Sequence, residues 1–436
     1  ALSWLPDQTT NGQSVMATVE NTASGPLLTA DGTPLKVSLG RSLRRSKLRG
    51  ILLVLPALLF LIIIFVVPIF NLLSRSVDDT LVNRALPRTF VAFESWDRQS
   101  LPEEAMFEAI FLDITTGDKY TVGKATTRMN YEKPGWRSLI KKSGRKFKKK
   151  IKGPPYRDAM IKIDKRWGDV TFWQTLGAMK DPQTLGYFLN AVDRQYDANK
   201  HVVMKEKERR VYVMLWWRTL LLSLIVTVGC LAMAYPVAHL LATLPLRYSN
   251  LLMICVLMPF WTSLLVRIVA WMVMLQNNGV VNSTLVWSGI LDDENRLPMM
   301  YNFTGTVIVM IQILLPFMIL PIYSVMKTIP PSYMRAAQNL GAPPSLAFLK
   351  VYLPQTLPGV GAGVILVFIV AIGYYITPEL VGGKDGQLIG NMIAYHMQKS
   401  LNWGLAAAMG TLLLAAILLL YWVYDRIVGI DNMRMN

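Results

Sequence analysis

Cysteine, histidine and charge within the apolar runs are all scarce in this 436-residue chain, and each scarcity removes a class of function. The two cysteines, Cys230 and Cys255, each sit inside an apolar run, where a thiol behaves as a small hydrophobe. They support neither a disulfide framework nor a zinc site. His201, His239 and His396 are scattered without metal-ligand spacing. There is no G-x-x-x-x-G-K-[ST] phosphate loop; Gly382, Gly383, Lys384 and Asp385 fail both its spacing and its terminal hydroxyl. G-x-S-x-G and H-E-x-x-H are absent too. The apolar runs hold almost no carboxylates, whereas proton-coupled transporters relay protons through buried Asp, Glu or His. The chain is therefore expected to be non-catalytic, with no cofactor or metal and no proton pathway of its own.

What it has in excess is apolar surface. Hydrophobic residues make up 53% and charged residues 17%, which indicates a membrane protein. Lysine and arginine outnumber acids 45 to 28, for a net charge of +17. Those cations lie almost entirely outside the apolar runs, and where they cluster, at 141–152, interleaved aromatics are scarce and the predicted side is extracytoplasmic, so no nucleic-acid partner is expected. An uncharged run from Ile51 to Leu73 is long enough, at about 1.5 Å per residue, to cross a hydrocarbon core of roughly 30 Å. It exceeds a signal-peptide core, and no small-residue cleavage site follows, so it is read as an uncleaved anchor. Further spans are predicted at Met214–Leu241, Leu251–Leu275, Phe303–Met326, Gly359–Thr377 and Leu405–Val428. Pro236, Pro259, Pro316 and Pro321 should kink them.

Arg41, Arg44, Arg45, Lys47 and Arg49 precede the first span; placing them in the cytoplasm puts Arg247, Lys327, Arg335, Lys350, Arg426 and Arg434 on the same side. Both termini are then cytoplasmic. Residues 1–50 read as a disordered tail ending in that basic cluster, and residues 429–436 as a second tail. Residues 74–213 fall outside the cytoplasmic membrane and are expected to form a small mixed subdomain. In it Phe107–Ile114 and Tyr120–Thr127 alternate like short strands joined at Thr116, Gly117 and Asp118, while Tyr187–Arg194 looks helical. Lys141, Lys142, Arg145, Lys146, Lys148, Lys149, Lys150 and Lys152 give it a basic run, read as a solvated face, a headgroup contact or a docking surface. Residues 214–428 are the five-helix core, with a cytoplasmic loop at 327–357.

That loop carries Arg335, Ala336, Ala337, Leu340 and Gly341. Tyr333, Ala337 and Leu340, spaced i, i+4, i+7, share a face of a short helix that Gly341 can stop through a positive φ and that Pro343 and Pro344 cannot continue. On spacing alone this is equally an ordinary surface helix. The pattern Ala336, Ala337, Gly341, Val351, Leu353, Pro354 resembles the EAA loop of binding-protein-dependent ABC importer permeases, with Arg335 where the family usually has Glu. Leu257 to Arg267, Ala270 to Leu275, Asn278 to Asn282, and Gly373 to Gly383, narrow the resemblance to the spermidine/putrescine type. It covers roughly Arg210 to the C-terminus.

The resemblance implies an all-α type I permease fold with six transmembrane helices in a bacterial inner membrane. It also implies a second permease subunit, an ATPase dimer that binds ATP and Mg, a periplasmic solute-binding protein, and a coupling helix at Ala336–Gly341. Arg267, the outstanding intramembrane charge, either lines the pathway or is structural, capping carbonyls or pairing with an acid on a neighbouring helix, with Trp271 one turn along on the same face. Glu379 is a cation-meeting carboxylate at the outer mouth, walled by Tyr374 and Tyr375, or a plain surface acid. Polyamine, amino-acid-like and opine-like cargoes stay open, and the alternative function is a secondary transporter.

Overall fold

The computed structural model describes residues 35–197 and 201–428. The expected terminal tails at 1–34 and 429–436 lie outside them. The chain divides into two units, Ala1–Ile69 and Phe70–Asn436. The first span is α1 (Leu35–Leu61), a π turn (Ile62–Val66) and α2 (Val67–Ser74). The wide turn sits where Pro68 has no N–H to donate to the carbonyl four residues back. Helix begins at Leu35, so the tail expected as disordered to residue 50 is helical in its last part. Residues 35–50 contain no proline and alternate good helix formers, unlike the Thr, Ser and Pro-rich stretch before them.

Residues 75–197 form a helical domain, not the mixed one expected. The two segments read as strands are α3 (Glu104–Thr116) and α4 (Lys119–Glu132). Met106, Phe107, Ile110, Asp113 and Ile114 are buried on α3, a 3.6-residue period that contains the apparent alternation. The supposed hairpin turn is a helix stop and start: Asp118 caps α4 by accepting from Thr121 N–H at 2.9 Å. Basic α5 (Trp136–Lys150) buries Trp136, Leu139, Ile140, Ser143 and Phe147 and turns most of its lysines outward. The domain core is aromatic, with Trp136, Trp167, Trp173, Phe107 and Phe147 all fully buried. Short α6 (Gly186–Ala191) leads to a hairpin of β1 (Arg194–Tyr196) and β2 (Val202–Met204). The helix expected over Tyr187–Arg194 thus stops at Ala191.

Among the described residues, six helices are long and apolar enough to cross a membrane. The second is α7 (Tyr212–Thr243). The third departs from expectation: it runs over Leu264–Trp287, starting afresh with α9 (Leu264–Leu275), while α8 (Leu246–Leu257) ends in a 3₁₀ turn, Met258–Trp261, and forms a separate, shorter apolar stretch. Pro259 breaks the ladder and Thr262 and Ser263 are extended, so the apolar stretch Leu251–Leu275 is two helices. The fourth is α10 (Phe303–Thr328); α11 (Pro331–Asn339) follows, and α12 (Leu353–Ile372) belongs to the fifth. The fifth helix ends at Ile372, short of the expected Thr377. Two short helices, α13 (Ile376–Val381) and α14 (Ile389–Gln398), lead to the sixth span, α15 (Trp403–Val428).

α7, α10 and α12 pack on one another around Leu222, Val226, Val309, Ile313, Met318 and Val367. Gly359 and Gly363, one turn apart, let α12 approach α10: a Cβ at Gly359 would lie 2.9 Å from Val325 and 3.0 Å from the Pro321 carbonyl, and one at Gly363 would lie 2.8 Å from the Met318 sulfur. Small residues at i, i+4 serve helix packing in lipid because dispersion replaces the missing hydrophobic drive.

Candidate functional site

Two groups of residues stand out in the core. The first is α11 with the turn that ends it. Gly341 has φ +89°, its N–H donates to the Gln338 carbonyl at 2.9 Å, and Ala342 N–H donates to the Ala337 carbonyl at 3.1 Å. Those two bonds make a Schellman stop, which puts a glycine in the left-handed region at the first position past the helix. A Cβ on Gly341 would meet nothing, so backbone conformation, not space, selects glycine. Met334 and Ala337 are half-buried and Met334 packs on the core; Tyr333, Arg335, Ala336 and Leu340 face out, Leu340 with 89% of its surface exposed. Tyr333 and Leu340 therefore share an open face, and Ala337, partly covered, lies beside them on it.

Past the turn a second π segment, Phe348–Tyr352, precedes Pro354, just as the first precedes Pro68. It is clamped by a residue that spacing gave no reason to choose. His239 of α7 lies edge-on to Phe348 and Tyr352 with ring centroids 5.5 and 5.2 Å away, and Phe348 stacks on Tyr352 at 5.5 Å. Tyr235 adds a hydroxyl pair with Thr356 at 3.2 Å. The segment following α11 is thereby gripped by the end of the second span.

The second group surrounds Arg267 of α9. Arg267 is half-buried, and its Nε has no hydrogen-bond partner among the described residues. Such a group in a low-dielectric setting is costly and calls for a polar surrounding. Trp271 donates its indole N–H to Gln312 Oε1 of α10 at 3.1 Å. Tyr374, in the linker past α12, lies within electrostatic reach of Arg267. Tyr375 is 40% exposed. Glu379 is on the surface of α13, its Oε2 accepting from Asn391 Nδ2 at 2.8 Å, while the same nitrogen reaches the Tyr375 carbonyl at 2.9 Å. α13 packs against α9 and α10. Arg267 and Tyr374 are thus near one another, while Trp271, one turn along α9, is turned to Gln312. Glu379 is held by Asn391 and makes no ion pair with Arg267 among the described residues. Gln312 and Asn391 went unnoticed in the sequence because they mate across helices, where no local spacing marks them. Among the described residues no cluster of His, Cys, Asp or Glu could hold a metal ion.

The family model for the inner membrane component of binding-protein-dependent transport systems matches residues 233–429. The spermidine/putrescine transport system permease protein PotB of Escherichia coli strain K12 is 35% identical over 211 residues, 48% of this chain and 76% of that one. PotB of Haemophilus influenzae is 36% identical over 226 residues, 52% of this chain and 78% of that one. The Escherichia coli inner membrane ABC transporter permease protein YdcU is 35% identical over 227 residues, covering 49% and 70%. A bacterial alginate ABC transporter solved with its alginate pentasaccharide-bound periplasmic protein aligns with a TM-score of 0.42 at 17% identity, covering 50% of this chain and 78% of that one, a likeness that adds no weight. The helical domain lies outside the residues matched by the family model. The relatives and the family model, not the geometry alone, settle the assignment: this chain belongs to the binding-protein-dependent inner membrane transport components, as a type I ABC importer permease of the spermidine/putrescine type.

Proposed function

We propose that the chain passes a small polycationic solute of the polyamine class inward from an extracytoplasmic binding protein, driven by ATP hydrolysis on separate subunits. The observation that carries the coupling part is α11: a short helix with its open face formed by Tyr333, Ala336 and Leu340, ended by a rigid Gly341 turn and joined to a segment gripped by His239 and Tyr235. Arg335, Ala336, Ala337, Leu340 and Gly341 dock on the ATPase. Movement there reaches α7 and α12 through the aromatic clamp, and the α7, α10 and α12 trio rocks between two packings. A second permease subunit completes the pathway, both termini and α11 lie in the cytoplasm, and the helical domain lies outside.

Relatives named for spermidine and putrescine support the cargo class. Tyr374, Tyr375 and Glu379 suit a cation at the mouth, and Trp271 with Gln312 narrows the route. Arg267 opposes a cation and so sets a barrier to be crossed, not a resting site. ATP-dependent uptake into proteoliposomes of the co-expressed complex, with labelled putrescine competed by spermidine or by a carboxylate-bearing amino acid, tests this. Competition by spermidine and loss of uptake in Glu379→Gln are expected. Competition by the amino acid alone would make Arg267 the cargo anchor and overturn the polyamine reading.

A further inference from the structure

Away from both groups, a cavity of about 140 Å³ opens where the helical domain meets the ends of the second and sixth spans. Three cations line it: Arg128 of α4, Lys205 and Arg209. Arg128 is committed, bonding Asp79 through Nε and Nη2 at 2.9 and 2.8 Å and Glu132 through Nη1 at 2.7 Å. The other two are not. Lys205 is 7% exposed, yet among the described residues its ammonium donates only to the Asn190 carbonyl at 3.1 Å and otherwise lies over the Tyr212 ring. Arg209, half-buried, makes no ion pair among the described residues.

Two carboxylates act on Lys205 from nearby, and both are bonded elsewhere: Glu132 accepts from Arg128, and the oxygens of Asp193 accept from the N–H groups of Val211, Tyr212 and Val213 at 3.1, 3.1 and 2.7 Å, capping α7. Burial, aided by Arg209, pulls the Lys205 ammonium down to about 8, so it remains mostly charged at neutral pH. His396, bonded to the Tyr212 hydroxyl at 3.0 Å, is pulled down to about 4 by burial and by Lys205, and is neutral there. The cavity is thus faced by two buried or half-buried cations, with the nearby carboxylates already engaged.

We propose that this cavity is a binding site for a small oxyanion, a phosphate, a sulfate or a short carboxylate, held by Lys205 and Arg209. Its walls come from the domain (Arg128), the segment leading into α7 (Lys205, Arg209) and the start of α15 (Leu405), so a bound anion ties the domain to the two spans. Thermal unfolding of the full chain in nanodiscs tests it, with sodium phosphate, sodium sulfate or sodium succinate titrated against sodium chloride at matched ionic strength. A saturable rise in Tm with at least one oxyanion but not with chloride is expected, and which salt acts tells an inorganic ion from a carboxylate. Lys205→Met keeps the stem and removes the charge; it should weaken the midpoint of that response at least tenfold, as should Arg209→Gln, which sits nearer the surface and spares the fold. Equal responses to chloride and to all three oxyanions, or an undiminished response in Arg209→Gln, would overturn the proposal.

Discussion

Asp79 and Arg128 show how much a single pair settles in the helical domain. Both are buried, at 1% and 5% exposure, and joined by two parallel bonds. Asp79→Asn leaves Glu132 as the one anion bonded to the guanidinium and should destabilise the domain, read as a fall in Tm of the detergent-solubilised chain. Asp164 offers a pH test. Hydrogen bonds from Arg166, reinforced by one from Lys142, hold its carboxyl well below the usual carboxylate range. A depressed carboxylate contributes stability above its unfolded value, near 3.9, and loses it as the pH falls through and below that point. Asp164→Asn should therefore lower Tm at pH 6 and make the midpoint less sensitive to acid below about pH 4. The Asp79–Arg128 pair was not legible in the sequence, because the two residues lie far apart along the chain. Residues with a local signature fared better: Gly341 was singled out by its place after a helical face, and its φ of +89° gives the reason.

Among elements, spans came through where apolar length alone decides them, as at Phe303–Thr328. They failed where one proline outweighs hydropathy, as at Pro259, and alternation misled at Phe107–Ile114 because every second residue of a short amphipathic helix can also be apolar. The close approach of α12 to α10 depends on atoms absent from Gly359 and Gly363. Gly359→Val should push the helices apart, lower Tm by several degrees and reduce transport, whereas Gly361→Ala tests a different contact, the Tyr424 hydroxyl. The start of α7 depends on Asp193. With three N–H groups on one carboxylate at a helix N-terminus, Asp193→Ala should cost about 2 kcal/mol or more, measured by thermal unfolding, and should expose the hairpin to protease.

In the molecule as a whole, the permease core is the part that composition, span length and the loop pattern made legible; the domain at 75–197 was legible only as something folded. Its packing on the sixth span is tight: a Cβ at Gly404 would lie 2.3 Å from the Tyr187 ring. Gly404→Ala should loosen that junction without touching α11. Coupling through α11 is tested by ATPase activity in nanodiscs of the complex assembled with the neighbouring gene products, with and without solute-loaded binding protein. Wild type and Gly341→Asn, which tolerates a left-handed φ, should both be stimulated, while Gly341→Val, which cannot take that conformation, should keep basal hydrolysis and lose stimulation. A chain that assembles with no ATPase, or a Gly341→Val variant stimulated as fully as wild type, would contradict the account.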